Sequence, residues 1–472
     1  MKLNKQEQDG EEDVPIIESD NININKSKNL PKKREICSKK KLIPIFILIV
    51  FVLFAFFLKI KLSGTNKRKT GLGVVYSALY GNGIGRFITV LTELLAKTGK
   101  YEVYLINENA YPNDLPYYPG VKRVLQKKDR NAIKEYDKQN NIDIYILNND
   151  ISHYIDIYKS LGKKVIGIFH GVFLSCIFTN DTYIYTHWNR FDFFDSYVQI
   201  IADDYWVHKK FNFKNEVFIP NLYTFNHSLT PSSPLSNKNV LIVGRIDDII
   251  KGAKFGIRAM AEVVKEVPDA QLYIVSGYHD PKIVNLIKEL NFENNVHLVQ
   301  FTFNISEYYL NSSVLLVPSV SESFPMVMNE GKAHGLPVVA FNIDYSPCFQ
   351  KGVITVDLFD YKAMGKEVVK LLNDFEYRKQ KGIEAKLSLD MFKNDETIEA
   401  WGELFTSLLS GEKEYRKFQE KREKKYYDEK KAKERIEKHY HYAQQFNEYF
   451  ECHSFENFTT LRYINEIEVC KV

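Results

Sequence analysis

Between residues 71 and 409 the chain alternates short apolar runs with amphipathic ones. GLGVVYSAL (71–79), YEVYLIN, IDIYILNN and KKVIGIFHG have the length and unbroken apolar character of strands buried on both faces. Helical or polar stretches separate them. After the first run, Phe87, Val90, Leu91, Leu94 and Leu95 recur at helical spacing. This alternation predicts an α/β fold built on a parallel, doubly wound sheet. Residues 222–238 are rich in Ser, Pro and Asn and read as a linker. The pattern then restarts with NVLIVG, a helix, and QLYIVSG; NVHLVQF, SSVLLVP, PVVAF and GVITVD continue a second sheet. Amphipathic helices are expected over 361–374 and 398–409. The boundaries that follow are 71–222 for a first domain, 237–390 for a second, and 391–410 for a closing helix.

The densest chemistry sits between residues 319 and 341. Residues 319–324 are a polar, Ser-rich loop after a strand. Pro325 suits the first helical position, where its missing N–H costs nothing. A helix is expected over 326–334, stopped by Gly335 and held stopped by Pro337. A helix opening at the carboxyl end of a strand is an anion site, because its unpaired N–H groups and dipole face outward. Two carboxylates belong to this unit, Glu322 in the loop and Glu330 on the helix. A second anion-binding pattern follows the strand NVLIV, where Gly244 and Arg245 precede a polar loop and Lys251-Gly252 opens a helix. Near the start of the first domain, Gly81, Gly83 and Gly85 are expected in a strand-to-helix turn. Their spacing is not the dinucleotide fingerprint, and a turn serving only packing fits equally well. His170 ends a predicted strand, where it either faces a ligand or is a buried, backbone-bonded histidine.

E-S-F-P-x-x-x-x-E followed by G-L-P-V-V-A resembles the signature of retaining GT-B glycosyltransferases of the family 4, glycosyl transferases group 1, type. The Gly-rich loop with Arg86, Gly244-Arg245 and Lys251-Gly252 resemble further elements of that family. SYVQIIADDYW, VHKKF and EVFIPN resemble the unit that closes its first domain, and Ile219-Pro220-Asn221 its hinge. The resemblance implies two Rossmann-like domains facing across a cleft, with acceptor on the first and nucleotide-sugar donor on the second. It implies that Glu322 and His170 attend the donor sugar, that Glu330 binds the ribose, and that Arg245 and Lys251 neutralise the diphosphate. Gly83, Gly85, Gly244, Ser323, Phe324, Pro325 and Met326 would complete the donor site. The reaction implied is hexosyl transfer with retention to a carbohydrate, lipid-linked or protein acceptor. No cofactor is expected beyond the donor substrate. A sugar-binding protein without activity, or a sugar-nucleotide epimerase, would use the same frame.

No Asp-x-Asp occurs in the chain, so the usual carboxylate motif for a divalent ion at a diphosphate is missing and no metal is expected. Cys37, Cys176, Cys348, Cys452 and Cys470 lack ligand spacing for zinc; whether Cys452 and Cys470 pair is not readable. The net charge of +4 is spread along the chain, which speaks against a nucleic-acid partner. Residues 1–41 are polar and read as a disordered tail. Residues 42–62 form an apolar run flanked by basic residues, which predicts a single transmembrane anchor. Six Lys/Arg precede it (Lys32, Lys33, Arg34, Lys39, Lys40, Lys41) and five follow (Lys59, Lys61, Lys67, Arg68, Lys69), a weak bias toward a cytosolic N-terminus. A type II protein with a lumenal domain in the endoplasmic reticulum or Golgi is expected, a cytosol-facing domain being the alternative. Residues 411–472 are mostly charged in both signs and read as a solvated helix or tail.

Overall fold

The computed structural model describes residues 68–126, 129–148, 152–171, 193–201, 205, 215–246, 250–343, 351–391, 393–411, 430, 433–434 and 437. The predicted tail 1–41, the anchor 42–62, the VHKKF helix, nearly all of 411–472 and all five cysteines lie outside these residues. Among the described residues no helix is long and apolar enough to cross a membrane.

Seven parallel strands form the first sheet: β1 (Thr70–Tyr76), β2 (Tyr101–Asn107), β3 (Lys122–Leu125), β4 (Ile144–Asn148), β5 (Lys164–Phe169), β6 (Ser196–Gln199) and β7 (Glu216–Phe218), in the order β3-β2-β1-β4-β5-β6-β7. Six more form the second: β8 (Asn239–Val243), β9 (Gln271–Ser276), β10 (Val296–Gln300), β11 (Val314–Val317), β12 (Val338–Phe341) and β13 (Val353–Val356), in the order β10-β9-β8-β11-β12-β13. Both orders reverse direction beside the first strand of the sheet. The crevice at such a switch point, outside the carboxyl ends of the strands, is where ligands bind in this architecture.

The central strands are apolar because helices cover both faces. α1 (Gly83–Lys97) buries Phe87, Ile88, Leu91 and Leu95 on one stripe, and Asn82 caps it by accepting from Gly85 N at 2.9 Å. α2 (Arg130–Gln139) and α3 (Ser152–Ser160) also belong to the first domain. In the second domain α4 (Ala253–Glu266) packs Gly256 against Ile242 of β8 and Pro318 just past β11, and α5 (Pro281–Glu289) and α6 (Ile305–Leu310) follow. α7 (Met326–Ala333) is buried at every position except Val327. α8 (Tyr361–Asn373) crosses α4 closely, since a Cβ on Gly365 would stand 2.9 Å from the Ala259 carbonyl. α9 (Phe375–Leu387) places Arg378 inward. That buried guanidinium donates to Leu371, Leu372 and Leu235 carbonyls, joining the end of α8 to the linker.

Helix α10 (Asn394–Ser410) returns to the first domain. Trp401 is fully buried, and Phe405 meets Tyr101 edge-on at 5.4 Å. Asn394 exchanges two 2.9 Å hydrogen bonds with the backbone of Tyr223, fixing the linker where it leaves the first domain.

Two local expectations shift. Gly83 and Gly85 open α1 rather than preceding it, and only Gly81 lies in the turn. Gly85 is needed for packing, since a Cβ there would stand 2.1 Å from the Tyr80 carbonyl. Pro325 caps α7 from outside instead of taking its first position. Gly335 has φ +72°, as a helix-ending residue in the left-handed region does.

Candidate active site

A cavity of about 800 Å³ opens between the carboxyl ends of the two sheets. On the second-domain side it is lined by Gly244, Arg245, Lys251, Glu322, Ser323, Phe324, Pro325 and Met326; on the first-domain side by Gly83, Arg86 and His170. Gly85 and Glu330 do not line it.

The cationic wall follows from two loops locked together. Gly252 has φ +61°, and a Cβ there would sit 2.0 Å from the Pro318 carbonyl, so only glycine lets this turn rest against the end of β11. Val320 N donates to the Ile250 carbonyl at 2.8 Å, tying the same two loops. Lys251 is thereby held beside Glu322. Its Nζ donates to Glu322 Oε1 at 2.6 Å, and Ser319 Oγ donates to the same oxygen at 2.8 Å. Arg245 lies two residues beyond β8 and lines the same cavity as the Tyr76 phenol of the first domain. Burial raises that phenol's pKa, opposed by a hydrogen bond from Asn82 and by the Arg245 charge. Val275, Ser276, Gly277, Phe301 and Thr302 line the cavity at the ends of β9 and β10.

His170 is held from two sides. Ser323 Oγ donates to its carbonyl at 2.6 Å, a bond between the domains. Its Nε2 lies 2.9 Å from Asn148 Oδ1, and the Asn148 amide donates to the Val75 carbonyl at 3.2 Å. With the Asn148 nitrogen so used, its oxygen faces His170 and requires Nε2 to carry the proton. Burial pushes the imidazole down to about 3, so it is neutral at physiological pH. His170 is packed edge-on to Phe87 at 4.9 Å and also lines the cleft, and its ring bonds a side-chain oxygen rather than the backbone.

Glu330 is placed differently from a ribose ligand on the cleft wall. It is 1% exposed and pairs with Arg86 of α1. Tyr309 Oη donates to its second oxygen at 2.8 Å, and Thr224 Oγ1 to its first at 3.1 Å. Burial first, and then the Glu330 carboxylate, raise the Tyr309 phenol well above its usual value, so it remains a neutral donor. The cluster joins first domain, linker and second domain.

No motif in the sequence marks the wall made by Tyr76, Tyr80, Tyr111, Asn113 and Asp114. The available signal was the aromatic, Pro-containing stretch YPNDLPYYP after β2, a loop at the carboxyl end of a strand. Among the described residues no group of His, Cys, Asp and Glu side chains converges on a metal position.

The model of the family "Glycosyl transferases group 1" matches residues 237–374. An uncharacterized glycosyltransferase of Haemophilus influenzae is 32% identical over 209 residues, 41% of this chain and 56% of that protein. The N-acetyl-alpha-D-glucosaminyl L-malate synthase of Bacillus anthracis is 25% identical over 175 residues, 36% of this chain and 44% of that protein. The matches thus span about half the length of these curated relatives. Among solved structures, sucrose-phosphate synthase from Thermosynechococcus elongatus superimposes with TM-score 0.61 at 18% identity, over 73% of this chain and 100% of that one. Anabaena HepE, solved with UDP and glucose, gives TM-score 0.59 at 13% identity, over 71% and 99%. The chain therefore has the GT-B fold, and over residues 237–374 it carries a domain of the glycosyl transferases group 1 type.

Proposed function

We propose that this chain is a membrane-anchored, retaining, metal-independent glycosyltransferase that moves a sugar from a nucleotide-sugar to an acceptor hydroxyl. The observation that carries the reading is the convergence of Arg245, Lys251 and the start of α7 on one wall of the cleft, opposite His170. In the reaction the bond from the sugar's anomeric carbon to the diphosphate oxygen breaks. The acceptor oxygen forms the new bond on the same face, and its proton passes to the departing phosphate oxygen. Arg245, Lys251 and the α7 amides meet the charge that develops on that phosphate. Glu322, on the same loop, orients Lys251 and the sugar. Neutral His170 approaches the donor sugar from the first-domain side of the cleft. Glu330 acts on the donor through Arg86, by holding that cation at the cleft. The absence of Asp-x-Asp supports a protein-only diphosphate clamp.

Anchoring through 42–62 with a lumenal catalytic domain is part of the same proposal. It is supported by the apolar run and by three acceptor sequons, Asn226, Asn304 and Asn311, which are exposed. Digestion of the domain by protease added to intact microsomes would overturn that topology.

The test of activity is release of nucleoside diphosphate from a panel of nucleotide-sugars by the full chain in detergent. UDP-glucose comes first, because HepE was solved with UDP and glucose. Product anomers read by NMR should match the donor's. Inverted products would remove the retaining assignment, and silence with every donor would favour a binding protein.

A further inference from the structure

The first-domain wall of the cleft carries a feature that donor binding does not account for. Tyr80 is 40% exposed and Tyr111 46% exposed, and both line the cavity. Their rings stack at 5.5 Å with 28° between planes, and Tyr76 meets Tyr80 edge-on at 6.4 Å. The Tyr80 hydroxyl is pushed up to about 12, first by the Tyr111 phenol beside it, so Tyr80 is neutral at physiological pH. Large aromatic faces left open to water at a cleft mark a surface meant to be covered.

Asp114 stands next to them. Its side chain is 7% exposed. Oδ2 accepts from Arg123 and from Tyr111 N, the latter at 3.0 Å. Oδ1 is buried and finds no donor among the described residues, although Asp114 lines the cavity. A buried carboxylate oxygen without a donor is costly, so its retention at a cleft wall calls for a ligand that brings one. The loop is preformed: Asp114 N donates to the Tyr111 carbonyl at 3.0 Å, and Leu115 N to the Leu79 carbonyl at 2.8 Å.

We propose that this wall is the acceptor subsite and that the acceptor is a saccharide, one ring stacking on the Tyr80–Tyr111 pair while a ring hydroxyl donates to Asp114 Oδ1. A sugar has an apolar C–H face and a rim of hydroxyl donors, which is what an aromatic pair bordered by a carboxylate and the Asn113 amide complements. A lipid tail would leave the carboxylate oxygen unpaired. Asp114 and Arg123 neutralise one another, so this wall offers no net positive charge to hold an anionic lipid phosphate. The assignment rests on the transferase reading above, since it presumes that the first-domain wall receives the acceptor.

The test is direct binding, which does not require turnover. Saturation-transfer NMR on the full chain in detergent uses methyl glucosides, methyl galactosides and methyl N-acetylglucosaminides as probes, with a polyprenyl phosphate and a Ser-containing peptide as controls. At least one glycoside should bind, with saturation strongest on its C–H face. Tyr111→Ala should weaken it about 10-fold, and Tyr111→Phe should retain it. Asp114→Asn, checked for folding by circular dichroism, should weaken it roughly 10- to 100-fold, the range for a hydrogen bond to a charged group. Failure of every glycoside to bind, binding indifferent to Tyr111→Ala, or preference for the lipid or peptide would overturn the assignment. Glycoside binding without any donor turnover would leave this subsite standing and sink the transferase reading. Donor turnover without glycoside binding would do the reverse.

Discussion

Lys251 Nζ lies 2.6 Å from Glu322 Oε1, and the two side chains are 31% and 7% exposed. The lysine is therefore already paired with a carboxylate. A donor diphosphate must share it or take it over. Glu322→Gln removes the competing charge but keeps the shape. On the proposed reaction, turnover falls by about 100-fold or more, because the sugar loses its partner, while nucleoside diphosphate binds at least as tightly as before. Titration calorimetry beside steady-state kinetics checks both halves. Weaker nucleotide binding in this variant would show that Glu322 does not compete for Lys251.

Arg86 and Glu330 predict a stability effect. Removing one partner of a buried pair strands the other, at a cost of about 3–5 kcal/mol. Glu330→Ala should therefore lower the midpoint of denaturant unfolding strongly, with Arg86 left 14% exposed and unneutralised. The family resemblance implies a ribose-binding role for Glu330; the ion pair with Arg86 adds a structural one. A midpoint within error of the unaltered chain would show that the cluster bears no load.

Gly252→Ala should harm both stability and turnover. The added Cβ meets the Pro318 carbonyl at 2.0 Å in a left-handed conformation. Backbone strain of this kind costs on the order of 1–3 kcal/mol before the clash is counted. A thermal melt and a turnover measurement should fall together, because the displaced residue next in chain is Lys251.

His170 predicts a pH dependence. Its folded pKa is about 3, against about 6.5 in an unfolded chain. Between those values the unfolded chain binds a proton that the folded one does not. Stability is thus fully present above pH 6.5 and declines as pH falls toward 3. From pH 6.5 to 5 the loss is at most about 2 kcal/mol. His170→Gln should flatten that part of the stability curve. An equally steep curve in the variant would mean that other groups titrate there.

What the sequence made legible was what is local. The strand runs gave the parallel sheets because buried strands have no polar face to obscure them. Gly252, Lys251 and the loop from Ser319 to Glu322 could be placed because each sits at a strand's carboxyl end, where a helix begins. β3 escaped notice because KRVL is a short edge strand with half-exposed and exposed positions. α9 escaped because its buried residues are only Arg378, Gly382 and Ala385. The Arg86–Glu330 pair joins residues 244 positions apart, and Tyr80 meets Tyr111 across α1, β2 and a loop. No spacing rule reaches that far, since the first contact exists only once the two domains face one another and the second only once the first domain is folded.

The diphosphate clamp is the central claim, and turnover of Arg245→Ala, Lys251→Ala and the double variant tests it most directly. Each single variant should lose roughly 100- to 1,000-fold in turnover while circular dichroism shows the fold retained. The double variant should lose less than the product of the two, because both cations act on one developing charge. Arg245→Lys should restore only part, since the planar fork is gone. Addition of magnesium or EDTA should leave the rate of the unaltered chain nearly unchanged. Near-normal turnover in both single variants, or a rate abolished by EDTA and restored by magnesium, would contradict the account.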